Sequence, residues 1–436
     1  MMTATTSKVA QLAKKIIDGD QYYKIANVNT LRPFFMSVVS HANHWMFISS
    51  NGGLTAGRKD ADHALFPYYT DDKITESAAQ TGSLTLIRIL QNGQNHLWEP
   101  FGEKKQRADI ERNLYKSPYG NKILFEEIHH GMGLTFRYSW SFSNQYGFVR
   151  KAKLINHSSE SVKVEILDGL QNILPASVPA DLQNKASNLV DAYKRNELDE
   201  VTGMGIYALS AIIVDKAEPS EALKANVVWS RGLQEPNLLL SNLQVRKFRN
   251  NLPLRTEKDI KGEKGAYLLN AEFDLQPGEG KDWWIVADVN KDHSSVVSLM
   301  EELKQDSSLI ENVNKDIRQG TNKLRALVAS ADGLQKTDDH LRDARHYSNA
   351  LFNIMRGGIF ANNYTIDRKD FLSYLKKANN QLYSQVSDHL HVMPEQMELR
   401  KFRSYMQTSG NSDLIRLAFE YLPLMFSRRH GDPSRP

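Results

Sequence analysis

The sequence predicts an α+β fold in which a large antiparallel β super-sandwich is followed by helices. Three observations carry this. First, Leu134, Phe136, Tyr138, Trp140 and Phe142 occupy every second position, with Thr135, Arg137, Ser139 and Ser141 between them. That period of two marks a half-buried strand. Second, strand signals of this kind recur through residues 28–292, and from His293 onward the apolar spacing turns helical. Third, a strand array with one apolar face needs a second layer to cover it, which points to stacked sheets. The expected division is a lead-in at 1–27, the sandwich at 28–292, a helical linker at 293–337 and the start of a helical domain at 338–436.

In chain order, Val9, Leu12, Ala13, Ile16 and Ile17 form a helical stripe with Ser7 as its cap. Phe34–Ser40 and Trp45–Ser49 are short apolar runs, and Asn51-Gly52-Gly53 is a turn signal. Residues 54–74 have no clean period and read as a long ordered loop, or a strand interrupted by one. Leu84–Leu90 alternates weakly. The strand at Leu134, the run Phe148–Ile155 and the alternation Val162, Val164, Ile166 are joined by short polar turns, so an antiparallel meander is expected. Helical spacing at 182–200 predicts an insertion. Strands then resume at Gly205–Val214, Ala225–Ser230 and Leu238–Leu243. Gly265–Leu275 and Asp282–Val289 flank a Pro-Gly turn and read as a hairpin. Helices are predicted at Ser294–Leu303, Leu309–Ala329, Asp338–Met355, Arg368–Val386, Glu395–Met406 (with Pro394 in its first turn) and Ser412–Phe426. The last is apolar almost all round and should be buried. The chain reads as part of a longer enzyme.

Composition narrows the function. The chain has 436 residues, 41% hydrophobic and 24% charged, an ordinary globular balance. A net charge of +4 from 55 basic and 51 acidic residues, with no basic run, gives no case for a nucleic-acid partner. The absence of cysteine excludes disulfides, thiolate metal sites and a cysteine nucleophile. No secretory signal and no membrane-spanning run are visible. The cytoplasm is the expected compartment.

Three stretches resemble a known family: Trp45–Gly53 (WMFISSNGG), Phe148–Pro175 and the segment DLQPGEGKDWWIVADV at Asp274–Val289. With the helices that follow, they are similar to the N-terminal half of cellobiose phosphorylase-type inverting glycoside phosphorylases. The resemblance implies a galactose mutarotase-like super-sandwich, linker helices and an (α/α)6 barrel that carries the catalytic acid. It also implies an oligosaccharide substrate with inorganic phosphate and a homodimer formed through the sandwich. Residues 338–436 are too few for the barrel, so no catalytic residue is assigned to this chain. No cofactor and no metal are expected.

Each group of candidate site residues also admits a plainer role. The loop at 55–72 combines aromatic faces with side chains that offer several hydrogen bonds, the two needs of a sugar site. Arg58, Asp62, His63, Tyr68 and Tyr69 are its proposed substrate contacts, against a loop that packs on its own aromatics. His41 and His44 with Asp60, Asp62 and His63 form a weaker metal candidate, outweighed by ordinary polar residues at a sandwich edge. Glu126, Glu127, His129 and His130 suit acid–base work in a stand-alone mutarotase, the alternative function. On a strand, however, they split between two faces and read as a solvated edge. A sugar-binding module without chemistry is the third reading. Trp283 and Trp284 must face opposite ways, one into the core and the other onto a surface. Arg428, Arg429, His430, Asp432 and Arg435 form a basic turn and receive no role.

Overall fold

The computed structural model describes residues 10–91, 94–102, 109–185, 187–211, 223–305, 308–331, 333–355, 358–360, 365–421 and 424–426. Ser7, Val9 and the basic turn at 428–435 lie outside the described residues. The chain opens with β1 (Gln11–Ile17) and β2 (Asp20–Ala26), then β3 (Phe35–Val38), β4 (His44–Ser49), β5 (Leu54–Arg58), β6 (Ala64–Phe66) and α1 (Asp71–Glu76). Next come β7 (Gly82–Gln91), β8 (Gln94–Trp98), β9 (Ile110–Lys116), β10 (Ile123–His129), β11 (Leu134–Ser143), β12 (Gly147–Asn156) and β13 (Val162–Ile173). A helical pair, α2 (Ala180–Lys185) and α3 (Ser187–Tyr193), precedes β14 (Lys194–Asp199), β15 (Met204–Leu209), β16 (Lys224–Arg231) and β17 (Asn237–Leu239). Then follow α4 (Val245–Arg249), β18 (Asp259–Lys261), β19 (Gly265–Leu275), β20 (Gly280–Asp292), α5 (His293–Gln305), α6 (Leu309–Ser330) and α7 (His340–Met355). The remainder is β21 (Gly358–Phe360), β22 (Thr365–Asp367), α8 (Arg368–Ala378), α9 (Asn380–His391), β23 (Gln396–Glu398), α10 (Leu399–Gln407), α11 (Ser412–Glu420) and β24 (Leu424–Phe426).

The sandwich is built as expected, from antiparallel sheets stacked on an apolar core. An 11-stranded sheet runs β1-β2-β9-β10-β11-β12-β20-β16-β15-β14-β18. A 5-stranded sheet, β17-β19-β13-β7-β8, and a 4-stranded sheet, β3-β4-β5-β6, complete it. The alternating residues of β11 face inward: Phe136, Tyr138 and Trp140 pack in one core with Phe148, Trp283, Ile87, Val164, Ile166, Ile48 and Phe66. Each such side chain contributes roughly 1.5–3 kcal/mol when removed from water. The outer face of the large sheet is covered by Leu303 of α5 and by Leu309, Val313 and Ile317 of α6, which pack on Val149, Val227, Trp229 and Val286. The outer face of the 5-stranded sheet is covered by Val245 and Phe248 of α4.

Pairing across the chain departs from the local reading in three places. The predicted N-terminal helix is the β1–β2 hairpin, with Gln11 opposite Ala26 and Ile17 opposite Asp20. Asp18 (φ 50°) and Gly19 (φ 81°) supply the left-handed pair that a tight hairpin requires, and this outweighs a weak helical stripe. The meander is broken: β12 pairs with β20, whereas β13 pairs with β7 and β19 in the other sheet. The Pro-Gly turn likewise joins β19 and β20 across sheets instead of closing a hairpin. Turn residues dictate a reversal of direction, but the partner of each strand is set by long-range packing. At 182–200 the helical spacing ends at Tyr193, and the rest is β14. Residues 54–74 take the form of interrupted strands, β5 and β6, followed by α1.

Residues 322–436 form a second compact unit. Its core gathers Phe371, Leu375, Phe402, Met406, Leu417 and Tyr421. Asp367, Asn379 and Asn411 cap α8, α9 and α11 through their side-chain oxygens. Asn379 is extended (φ −153°) and splits the helix expected over 368–386. Pro394 precedes the short strand β23, and α10 begins at Leu399. The terminal helix stops at Glu420, and Leu424–Phe426 pairs with Gly358–Phe360 as a two-stranded ribbon. Among the described residues no helix is long and apolar enough to cross a membrane.

Candidate functional site

The five loop residues proposed as sugar contacts are placed on different supports. Arg58 Nε lies 2.8 Å from Asp288 Oδ1, and its guanidinium also donates to the Asn144 carbonyl at 2.9 Å. Asp62 accepts from the Ala180 backbone N–H at 2.8 Å. His63 bonds Asp60 through Nδ1. Tyr68 is 37% exposed and meets the Trp45 ring edge-on at 5.6 Å. Tyr69 is half-buried. Arg58, Asp62 and His63 thus brace the loop, while Tyr68 keeps an outward aromatic edge.

The metal candidate is not assembled. His44 is buried, stacked on Phe142 at 5.1 Å and edge-on to Phe148 at 5.2 Å. Burial, followed by the nearby charges of Arg58, His41 and Lys291, pushes its imidazole down to about 2. Among the described residues no group of three or more His, Asp or Glu side chains is placed to hold an ion.

The strand at Glu126–His130 splits its side chains as the period demands, but most are buried rather than solvated. Glu126 accepts from Tyr115 at 2.7 Å, Asn113 at 2.8 Å and Arg137 at 2.5 Å. Glu127, on the other face, accepts from Trp98 Nε1, the Phe101 backbone N–H and Arg112 Nε, each at 2.7 Å. His129 shares that inward face, edge-on to Trp98 at 5.6 Å. His130 is exposed, with Nε2 3.4 Å from Glu111. The correction has a simple cause. Strand β10 lies inside the large sheet, so side chains from β9 and β11 flank it on both edges and help bury each carboxylate among its donors.

Glu127 leads to the site. A pocket of about 360 Å³ opens between the two large sheets. Tyr138 of β11 lies at its base, beside Ser83 and Thr85 of β7. Phe101 and Arg112 form one wall, Asn51-Gly52 and Gln171 others, and Glu99 with Arg249 the rim. Phe101 meets Tyr138 edge-on at 5.3 Å, and the Arg112 guanidinium lies 6.0 Å from the Phe101 ring centre. Phe101 holds a left-handed backbone (φ 62°), costly for an aromatic residue, and its N–H is pinned by Glu127. Gly52 (φ 95°) is equally constrained: a Cβ there would meet the Tyr138 hydroxyl at 3.0 Å. Burial raises the Tyr138 phenol above its usual value.

Beneath the base lies a fully buried ion pair. Asp168 accepts from Arg150 Nη1 and Nη2 at 2.7 and 2.8 Å, from Thr85 at 2.6 Å and from Trp283 Nε1 at 2.6 Å. Arg150 also stacks 4.9 Å from the Tyr138 ring centre. Trp283 is therefore the core tryptophan. Trp284 faces outward, with Lys151 Nζ 5.5 Å from its ring.

The arrangement offers an aromatic surface and many hydrogen-bonding groups, the requirements for holding a sugar. Among the described residues, no histidine lines it, and its carboxylate, Glu99, is forked to Arg249 at 3.0 and 3.2 Å. The sequence reading missed Phe101, Arg112, Glu99 and Arg249. The usable signal was the turn Glu99-Pro100-Phe101-Gly102, where an aromatic sits between two turn formers.

Residues 360–423 match the sequence profile of glycoside hydrolase family 149 insertion domain 1. No curated protein matches the chain. Among solved structures, a kojibiose phosphorylase from the human microbiome aligns at 11% identity and a TM-score of 0.38, over 84% of this chain and 48% of that one. A GalM/aldose epimerase homologue from C. elegans aligns at 11% identity and a TM-score of 0.33, over 60% of this chain and 100% of that one. A polysaccharide lyase aligns at 12% identity and a TM-score of 0.33, over 62% of this chain and 34% of that one. The chain therefore spans less than half the length of the lyase and of the phosphorylase. The profile match lies within the helical unit, and the structural neighbours share the sandwich fold.

Proposed function

We propose that this region binds saccharide through the pocket over Tyr138 and serves an enzyme resembling an inverting glycoside phosphorylase that acts on β-glucosides or similar oligosaccharides. In this reading it contributes a wall for substrate, a sandwich surface for a homodimer in the cytoplasm and no catalytic group. Phosphate attack and leaving-group protonation are supplied by other parts of the enzyme. The observation that carries the reading is Phe101, held in a strained backbone at the pocket wall by the buried Glu127. Tyr68, outward beside Trp45, supplies a further aromatic contact for a longer sugar chain.

Ligand-observed NMR with β-gluco-oligosaccharides tests this. Phe101→Ala is expected to weaken binding about tenfold, equivalent to ~1.4 kcal/mol of lost aromatic contact. Wild-type affinity in that variant refutes the pocket. Phosphate-dependent release of glucose 1-phosphate by this chain alone refutes the non-catalytic role.

A further inference from the structure

We infer that the pocket selects uncharged saccharide ends, and that Glu99 is the residue that excludes uronates and sugar phosphates. The inference rests on the saccharide reading above and concerns its ligand class. Among the described residues two guanidinium groups line the pocket, Arg112 and Arg249, which would ordinarily recommend it for anions. Both are already committed. Arg112 donates from Nε to Glu127 at 2.7 Å and from Nη2 to the Gly102 carbonyl at 2.8 Å. Arg249 faces Glu99 through two parallel bonds, a fork that matches carboxylate geometry. The third guanidinium, Arg150 beneath the base, is locked to Asp168.

Among the described residues lining or underlying the pocket, each guanidinium is thus matched by a protein carboxylate. An anionic sugar would have to displace Glu99 or lie against its charge. A neutral sugar can use the remaining lone pairs and N–H groups without breaking a pair. The two pairs differ in how easily they yield. Glu127 is almost wholly buried, with a side-chain exposure of 2%, so the Arg112 pair is fixed. Glu99 and Arg249 are 19% and 42% exposed, at the rim, so their pair can be altered without emptying the core.

The experiment measures binding of the full chain to a neutral gluco-oligosaccharide, its glucuronate-terminated counterpart and glucose 6-phosphate, by ligand-observed NMR. Melting temperature serves as the folding control. Wild type is expected to prefer the neutral ligand. Glu99→Gln should free Arg249 and raise affinity for the two anions about tenfold at low salt. Adding Arg249→Gln should abolish that gain. Equal wild-type affinity for neutral and anionic ligands, or an unchanged preference in Glu99→Gln, overturns the inference. If neutral binding persists and depends on Phe101 while the charge preference fails, only this inference falls. If wild type binds no saccharide, both readings fall.

Discussion

Replacing Asp168 by Asn tests the physical core of the site. The carboxylate and its Arg150 partner are both fully buried, and Asp168 accepts bonds from Arg150, Thr85 and Trp283. Asparagine keeps the shape but removes the charge, and its NH2 points a donor at groups that are themselves donors. Breaking such a pair leaves a guanidinium uncompensated in the core, at a cost of about 3–5 kcal/mol. With an m-value of roughly 3 kcal/mol/M in urea, the unfolding midpoint should fall by ~1–1.7 M. Tryptophan fluorescence is the assay: all 6 tryptophans precede residue 322, so the signal reports the sandwich unit alone. The double variant Arg150→Met with Asp168→Leu removes both charges and should recover at least half of the loss. A shift of less than ~0.3 M in Asp168→Asn, or a double variant no better than the single, refutes the reasoning.

Two further expectations follow from the same structure. His44 is held near pKa 2 when folded, against 6.5 ordinarily, so the unfolded chain takes up a proton that the folded chain refuses. Stability should be unaffected above pH 6.5 and fall as pH drops through it, by ~2 kcal/mol at pH 5; His44→Phe should flatten this slope, measured by urea titration at pH 7 and pH 5. Asn411 caps α11 by accepting from Asp413 and Leu414 N–H groups at 3.1 and 3.0 Å. Asn411→Ala should cost about 1 kcal/mol, visible by circular dichroism as earlier melting of helix, with the tryptophan-reported transition unmoved.

The alternation through Leu134–Phe142 was legible because one face of that strand meets a dry core and the other does not, and period two records that difference directly. The helices after His293 were legible for the same reason at period 3.6. Their ends were not. Asn379, Pro394 and Leu424–Phe426 show local capping and ribbon pairing overriding an apolar stripe that continues past them. At Asp18-Gly19 the opposite occurred, and turn chemistry defeated a helical spacing. Glu126 and Glu127 illustrate the limit for sites. Their division between two faces followed from strand geometry, but their burial did not, since nothing local reveals that β10 has neighbours on both edges.

By itself the sequence determined the stacked-sheet class, most of the central strands and the later helices, because these follow from side-chain periodicity and turn residues within a few positions. It also pointed to carbohydrate chemistry, through segments similar to a known enzyme type. Only the tertiary structure decided which strands share a sheet, since β13 and β19 leave their sequence neighbours to pair with each other. The site was decided there too. Glu99 and Arg249, 150 positions apart, meet only because α4 covers the sheet that β8 borders. Phe101 becomes a pocket wall only because Glu127, from the other sheet, holds its backbone. Periodicity constrains a residue relative to its own strand, whereas a pocket depends on contacts between strands, which loop closure and core packing settle together.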